Sequence, residues 1–376
     1  MAYIHNLKLN HFRCYDKAAL DDLPPGLIAL SGANGAGKTN ILEAISLLSP
    51  GRGLRGARVM EIQQKNVPEP WAVSCGLQTR YEEVRLGTGL DPTSPPGKER
   101  RTVRINGKTQ RGQNAFAKYV SCVWLTPQMD RLFLDSSRER RQFLDRLIFA
   151  FDAGHAGRVT RYENALSQRS KLLREGQCDD IWLSGLENQM AETAVAISAA
   201  RLDFAQRLQT ACENSEHSHF PLARFHVNGT LEELLSHTSA LEVEDAFKYQ
   251  LKESRERDSH TGGAATGPHK SDLSVIYATK NMPADQCSTG EQKALLIGLI
   301  LAHARLIKAE RGSPPILLLD EVAAHMDENR RTALYEILQE LGAQCWLTGT
   351  DEDLFHSIKS QARFFTVENG HINKNI

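Results

Sequence analysis

The chain is short of several features that would place it in a class at once. Its seven cysteines (Cys14, Cys75, Cys122, Cys178, Cys212, Cys287 and Cys345) are scattered, odd in number and never spaced C-x-x-C. That excludes a paired-cysteine zinc site and suits a reducing compartment better than a disulfide framework. Long apolar runs are missing too. The most apolar stretches, around 295–301 and 316–319, are too short or too interrupted to span a bilayer. The first ten residues alternate apolar and polar and carry His5 and Lys8, so they read as a strand and not as a leader. Charge of one sign is scarce: 45 Lys and Arg face 46 Asp and Glu, a formal net charge of −1. This argues against a generally basic nucleic-acid coat while leaving room for a local basic face. There is no internal repeat and no sustained heptad, and no nucleophile motif accompanies the abundant Ser, His and Asp. A soluble cytoplasmic protein with no membrane partner is the expectation, with chain enough for one large or two medium domains.

What is present begins with Gly32-Ala33-Asn34-Gly35-Ala36-Gly37-Lys38-Thr39, a full match to the G-x-x-x-x-G-K-[ST] phosphate cradle. The apolar run Leu27–Leu30 before it predicts a buried strand. The spacing of Ile41, Leu42, Ile45 and Leu48 after it predicts a helix. Glycines let such a loop turn its amides towards a polyphosphate at the helix N-terminus, where the dipole favours anions. Lys38 is expected to reach the β- and γ-phosphates, and the Thr39 hydroxyl to ligate Mg²⁺. The chain is therefore expected to bind a nucleoside triphosphate such as ATP.

Farther along, Pro315–Leu319 is an apolar strand that runs into Asp320 and Glu321. A buried parallel strand reads as an unbroken apolar run, and its C-terminal end faces the ligand crevice. Asp320 is placed to hold Mg²⁺, and Glu321 to orient and deprotonate the attacking water. Between the two motifs, Ser288-Thr289-Gly290-Glu291-Gln292 opens the helix expected over 294–307. It is either a second anion cradle or a plain helix cap.

The ends have α/β character. Strands are expected at 3–10, 27–30, 71–78, 83–86, 102–105 and 122–125, with a hairpin turn at Asn106-Gly107 and an exposed loop at 91–97. From about 137 to 255 the pattern turns helical. Leu186, Met190, Ala194 and Ile197 form an amphipathic stripe there. After a return through 259–267, α/β character resumes at 272–277. The fold class expected is α/β: an ATPase head over 1–135 and 261–376, with a helical arm inserted over 136–260.

Several segments resemble known families. Ser288–Gln292 resembles the signature sequence of ABC-type ATPases, Pro127-Gln128 their glutamine loop, and Asp327 their D-loop aspartate. More specifically, the chain resembles the RecF family, bacterial relatives of SMC proteins. The resemblance rests on the opening segment 7–15, the phosphate loop through Ile45, the stretch 48–55, Arg140-Arg141-Gln142-Phe143-Leu144-Asp145, and Thr266-Gly267-Pro268-His269-Lys270-Ser271-Asp272-Leu273. It implies an ABC-type head that forms a homodimer on ATP, the phosphate loop of one subunit meeting Ser288, Gly290, Glu291 and Gln292 of the other. Gln128 would serve Mg²⁺ and catalysis beside Lys38, Asp320 and Glu321, and Arg13 would either reach the phosphates or pair with an acid. The family binds DNA at gaps and junctions and helps RecA replace single-strand-binding protein, together with RecO and RecR. There are departures. Glu321 stands where the family often has Asp, His325 where an acid is common, and Thr348-Gly349-Thr350-Asp351 where ABC transporters carry a switch histidine. Slow, DNA-stimulated hydrolysis used as a switch is the implication. A transporter ATPase subunit and a general SMC-like clamp are the alternatives, opposed by the helical insertion and by the lack of long heptads.

Residues 98–146 hold 12 Lys and Arg against 5 Asp and Glu. Lys98, Arg100, Arg101, Arg104, Lys108 and Arg111 flank the hairpin, and Arg131, Arg138, Arg140, Arg141 and Arg146 lie near the start of the arm. Either they contact DNA phosphates or they form a solvated charged surface. Arg100 and Arg101 are the pair chosen as DNA contacts. His269 is read as a nucleotide or DNA contact or as a turn histidine. Trp71, Trp124, Trp182 and Trp346 are expected in the core.

Overall fold

The computed structural model describes residues 2–95, 97–176, 179–214, 219–324 and 326–374. His325, Cys178 and Pro96 in the 91–97 loop lie outside them. The chain divides into two compact units, one of Met1–Asp130, His217–Phe220 and Ile300–Ile376, the other of Arg131–Glu216 and Pro221–Leu299. The sequence reading placed 261–376 with the head, whereas 261–299 packs with the helical unit.

The first unit is built on two six-stranded sheets. In one, Leu27–Ser31, Cys345–Gly349, Ile316–Leu319, Cys122–Leu125 and Ala362–Glu368 run parallel, and His371–Lys374 adds an antiparallel edge. Leu27–Ser31, Ile316–Leu319 and Cys345–Gly349 are buried at every position, as expected of strands covered on both faces. The other sheet is antiparallel, in the order Tyr15–Leu20, Tyr3–Phe12, Ala72–Gln78, Glu83–Leu90, Arg101–Ile105 and Lys108–Thr109. Ile41, Leu42, Ala44 and Ile45 of the Lys38–Ser46 helix pack in a core shared with both sheets. Asn106 (φ 49°) and Gly107 (φ 80°) make the two-residue hairpin turn, since Ile105 pairs with Lys108.

The second unit holds helices at Ser137–Ile148, His155–Arg174, Asp180–Glu213, Ala240–Glu253 and Arg255–Thr261, with a short one at Thr230–Leu235. Asp180–Glu213 has 34 residues, about 50 Å of helix. It is capped by Asp179, whose carboxylate accepts from the amides of Ile181 and Trp182. The stripe Leu186, Met190, Ala194 and Ile197 is buried in this unit's core with Phe247 and Leu251. Asp272–Tyr277 does not join either sheet of the first unit. It is the middle strand of a separate sheet, between Ala223–Asn228 and Met282–Pro283. The Ala223–Asn228 strand was not foreseen, because only Ala223 and Val227 of its six residues are buried and its period-2 signal is correspondingly weak. Trp71, Trp124 and Trp346 are core residues, but Trp182 is 52% exposed, at the first turn of the long helix.

His269 proves to be a turn histidine. Its Nε2 lies 3.1 Å from the Ala264 carbonyl oxygen, which can only accept, so Nε2 carries the proton and Nδ1 accepts from the Tyr162 hydroxyl at 2.7 Å. Burial, chiefly, pulls its pKa down to about 4, with Lys270 and Arg141 adding to the effect. A histidine whose folded pKa lies below its unfolded value gives stability that is whole above about 6.5 and lost as pH falls towards 4. We expect a loss of about 3 kcal/mol across that window. Urea unfolding of wild type against His269→Gln checks it: the variant should lack this part of the pH dependence, and identical profiles would remove His269 as its source.

Candidate nucleotide site

The phosphate loop follows the buried Leu27–Ser31 strand and leads into the Lys38–Ser46 helix, with Gly37 (φ 119°) as N-cap. Two glycines are required here. A Cβ on Gly32 (φ 144°) would stand 2.2 Å from the Val367 carbonyl oxygen, and one on Gly37 would stand 2.6 Å from the Tyr15 hydroxyl. Ala33, Asn34 and Gly35 form the exposed crest, while Ala36 is buried and its amide closes onto the Ala33 carbonyl at 3.2 Å. Asn40 and Ile41 donate their amides to the Gly37 carbonyl at 2.9 and 3.3 Å, and the start of such a helix, with its dipole, favours an anion. Lys38 is buried; its ammonium donates to the Gly32 and Ala33 carbonyl oxygens at 2.5 and 3.0 Å. Burial lowers its pKa, while Glu321 and Asp320 pull it back up.

Asp320 ends the Ile316–Leu319 strand and is 5% exposed. The Thr39 hydroxyl donates to its two carboxylate oxygens, both at 3.0 Å. Two predicted Mg²⁺ ligands, 281 positions apart in the chain, are thus in contact. Gln128, on the turn Pro127–Arg131, lines a cleft of about 240 Å³ with Thr39, Asp320 and Glu321. This hydroxyl, carboxylate and amide set is made of hard oxygen donors, which fits Mg²⁺. The glycine cradle fits the phosphates it would carry. A larger concavity of about 760 Å³ lies against Phe355, Lys359 and Arg363. It contains none of these groups, and a loop of backbone amides needs no deep cavity, so volume does not locate the site.

Two further residues enter. Thr348, in the place of the switch histidine, donates through its hydroxyl to Asp320 Oδ1 at 2.8 Å and accepts the Glu321 amide at 2.8 Å. It therefore orients both acids. Glu321 itself has φ 52°, a conformation in which a residue with a long side chain is strained. Arg55 also lines the cleft, and its Nη1 donates to Asn40 Oδ1 at 2.8 Å and Glu43 Oε2 at 2.9 Å. Its only sequence signal was membership of the 48–55 stretch.

Other expectations are corrected. Arg13 takes the second of its two readings: it grips the Glu43 carboxylate at 2.8 and 2.5 Å and donates to the Glu61 carbonyl. In the second unit, Ser288 and Glu291 close a capping box, the Ser288 amide and hydroxyl both donating to Glu291 Oε2 at 2.9 Å. Lys280 is also hydrogen-bonded to Glu291 and, as the largest influence, holds its pKa down at about 2 with help from Ser288. Gln292 is buried, its amide donating to the Cys287 carbonyl at 2.9 Å. Glu291 and Gln292 thus shape the loop, and Ser288, Thr289 and Gly290 are what it exposes.

The basic cluster is thinner than its sequence suggests. Arg101 donates to Thr88 Oγ1 at 2.7 Å, to the Gly51 carbonyl at 2.9 Å and to the Leu47 carbonyl, and burial brings its pKa down to about 10. Arg140 forms a two-pronged pair with Asp272, both contacts 2.7 Å; Arg141 donates to the Ser271 carbonyl at 2.6 Å; Arg146 lies over Phe143. Lys98, Arg100, Arg104, Lys108 and Arg111 remain exposed at the hairpin.

Comparison with known proteins agrees with this geometry. A family model described as RecF/RecN/SMC N terminal domain matches residues 3–373. The chain is 46% identical over 371 residues to the DNA replication and repair protein RecF of Mesorhizobium japonicum, covering 98% of this chain and 97% of that one. It is 43% identical to the protein of that name from Rhizobium rhizogenes, covering 99% and 98%. Among solved structures, the recombination mediator protein RecF with ATPrS superposes with a TM-score of 0.84 at 22% identity, over 100% of this chain and 98% of that chain. An Smc head domain from Pyrococcus furiosus gives 0.54 at 18%, over 99% and 96%; both likenesses concern the fold. With an α/β ABC-type head, a phosphate loop joined to its acidic strand, and relatives of that name matched from end to end, the chain belongs to the RecF family.

Proposed function

We propose that the chain is an ATP-switched, DNA-binding recombination mediator. The contact between the Thr39 hydroxyl and Asp320 carries this reading, because it joins the phosphate loop to the acidic strand in the cleft that Gln128 and Glu321 also line. Lys38 and the loop amides bind the triphosphate. Thr39, Asp320 and Gln128 hold Mg²⁺, which supplies charge neutralisation at the phosphates when bound. Arg55 adds a cation to the same cleft, and Glu321 accepts the proton of the attacking water.

In this reading two copies close on ATP, the phosphate loop of one meeting Ser288 and Gly290 of the other, with Glu291 and Gln292 shaping that edge. The exposed hairpin cations bind the backbone of gapped or junction DNA, duplex or single-stranded. RecR and RecO are the partners, the outcome is RecA loading in gap repair and replication restart, and the setting is the cytoplasm. Among the described residues no helix is long and apolar enough to cross a membrane.

Sedimentation of the purified chain with and without ATP and a gapped duplex tests this. ATP-dependent dimers on DNA, absent in Lys38→Met, are expected; a monomer under all conditions refutes it. The DNA surface is tested separately by Arg100→Glu with Arg104→Glu. We expect DNA affinity to fall about tenfold or more at moderate salt, with a shallower salt dependence and unchanged ATP binding. Unchanged DNA affinity rejects the hairpin. Arg101 is unsuitable for this test, since its side chain is bound within the fold.

A further inference from the structure

Glu43 is a carboxylate with 1% exposure that receives two arginines. Arg13 donates Nε to Oε2 at 2.8 Å and Nη2 to Oε1 at 2.5 Å, and Arg55 donates Nη1 to Oε2 at 2.9 Å. The three residues belong to different parts of the head. Glu43 is on the phosphate-loop helix, and Arg55 stands in the stretch that follows it and lines the nucleotide cleft. Arg13 sits at the turn between Tyr3–Phe12 and Tyr15–Leu20 of the antiparallel sheet. That turn is itself fixed: Arg13 has φ 55°, its amide donates to the Ile62 carbonyl at 3.0 Å, and its Nη1 donates to the Glu61 carbonyl at 2.5 Å.

A buried carboxylate is stable only when its oxygens are paired, and a planar guanidinium grips both of them with fixed geometry. Arg13 does this, which sets the direction in which Oε2 faces Arg55. Arg55 is 34% exposed at its side chain; without Glu43 it would keep the hydrogen bond to Asn40 Oδ1 at 2.8 Å but lose its charged partner in the cleft.

We infer that Glu43 is a positioning residue that holds Arg55 in the nucleotide cleft, and that Arg13 anchors Glu43 to the first turn of the antiparallel sheet. The inference rests on the reading of this cleft as an ATP site. It makes the position of a cleft cation depend on a turn of the sheet that also carries the basic hairpin, so a displacement at that turn would alter ATP affinity.

The test is titration of the full-length chain with a fluorescent ATP analogue, with melting temperature as the folding control. Arg55→Ala is expected to weaken binding about tenfold, and Glu43→Gln and Arg13→Gln about fivefold each, the range of orienting groups behind a ligand-binding residue. The decisive variant is Glu43→Gln combined with Arg55→Ala. If Glu43 acts through Arg55, the double variant binds like Arg55→Ala alone, within about twofold. Arg55→Lys should then restore binding partly, but not in the Glu43→Gln background. An additive loss of about fiftyfold in the double variant would overturn the inference, because Glu43 would then act on the loop itself. Should Glu43→Gln melt early, Arg13→Gln decides, since it leaves the phosphate-loop helix intact; wild-type binding by a stable Arg13→Gln removes the anchor. Failure of the underlying reading looks different: Lys38→Met would then bind the analogue as tightly as wild type.

Discussion

Glu321→Gln should lower ATP turnover by about 10²–10³-fold while ATP affinity stays within about threefold, as measured by phosphate release and nucleotide titration. The glutamine keeps the size of the side chain and the amide bond to Thr348, so the φ of 52° and the cleft are preserved. Only the capacity to take a proton is lost. Proton transfer by a positioned base is worth about 10²–10⁴-fold, and the lower part of that range applies to a switch that turns over slowly. Dimers formed on ATP and DNA should also outlive those of wild type, because their release follows hydrolysis in the proposed cycle. Turnover within twofold of wild type would assign the base elsewhere.

The second large effect is on stability. Arg169 is wholly buried in the helical unit and donates to Glu187 at 2.9 Å, to Asp258 at 2.8 Å and to the carbonyls of Leu251 and Gly263 at 2.6 and 3.2 Å. Arg255 also holds Glu187, at 2.6 and 2.9 Å, so Glu187 keeps a partner without Arg169. Among the described residues Asp258 keeps the Ser254 hydroxyl at 2.7 Å and the more distant Arg257, 3.9 Å away. Removing one partner of a buried pair leaves an uncompensated charge and costs about 3–5 kcal/mol. We expect that loss for Arg169→Ala in urea unfolding followed by circular dichroism. Arg169→Lys should recover little of it, since one ammonium cannot span acceptors arranged for a planar fork. A loss below about 1 kcal/mol would mean that the network relaxes around the gap.

Much of the candidate nucleotide site is legible along the chain because its parts are local. Gly32 to Thr39 specify a loop whose conformation depends on glycines at fixed offsets, and the Ile316–Leu319 strand announces its burial by being apolar throughout. Lys38, Thr39, Asp320 and Glu321 could be named from such segments, and Gln128 only from the likeness of Pro127-Gln128 to a glutamine loop. The fate of long polar side chains could not. Arg13, Arg55 and Arg101 look alike in sequence. Arg13 is held on Glu43 by a partner 30 positions away, Arg55 is held in the cleft by the same carboxylate 12 positions away, and Arg101 is consumed in part by a carbonyl 50 positions away. The same holds for Gln292 and His269, whose donors are spent inside the fold.

The sequence alone determined the motifs: a phosphate-cradle pattern, an acidic strand, a helical middle and a locally basic hairpin, each written in residues close together. Only the tertiary structure decided which charges are available. Burying an arginine or a carboxylate is tolerated only when its hydrogen bonds are met, and those partners come from distant segments that the fold brings together. Of the basic residues between 98 and 146, the fold therefore spends Arg101, Arg140 and Arg141 on its own carbonyls and acids and leaves the hairpin cations to the solvent.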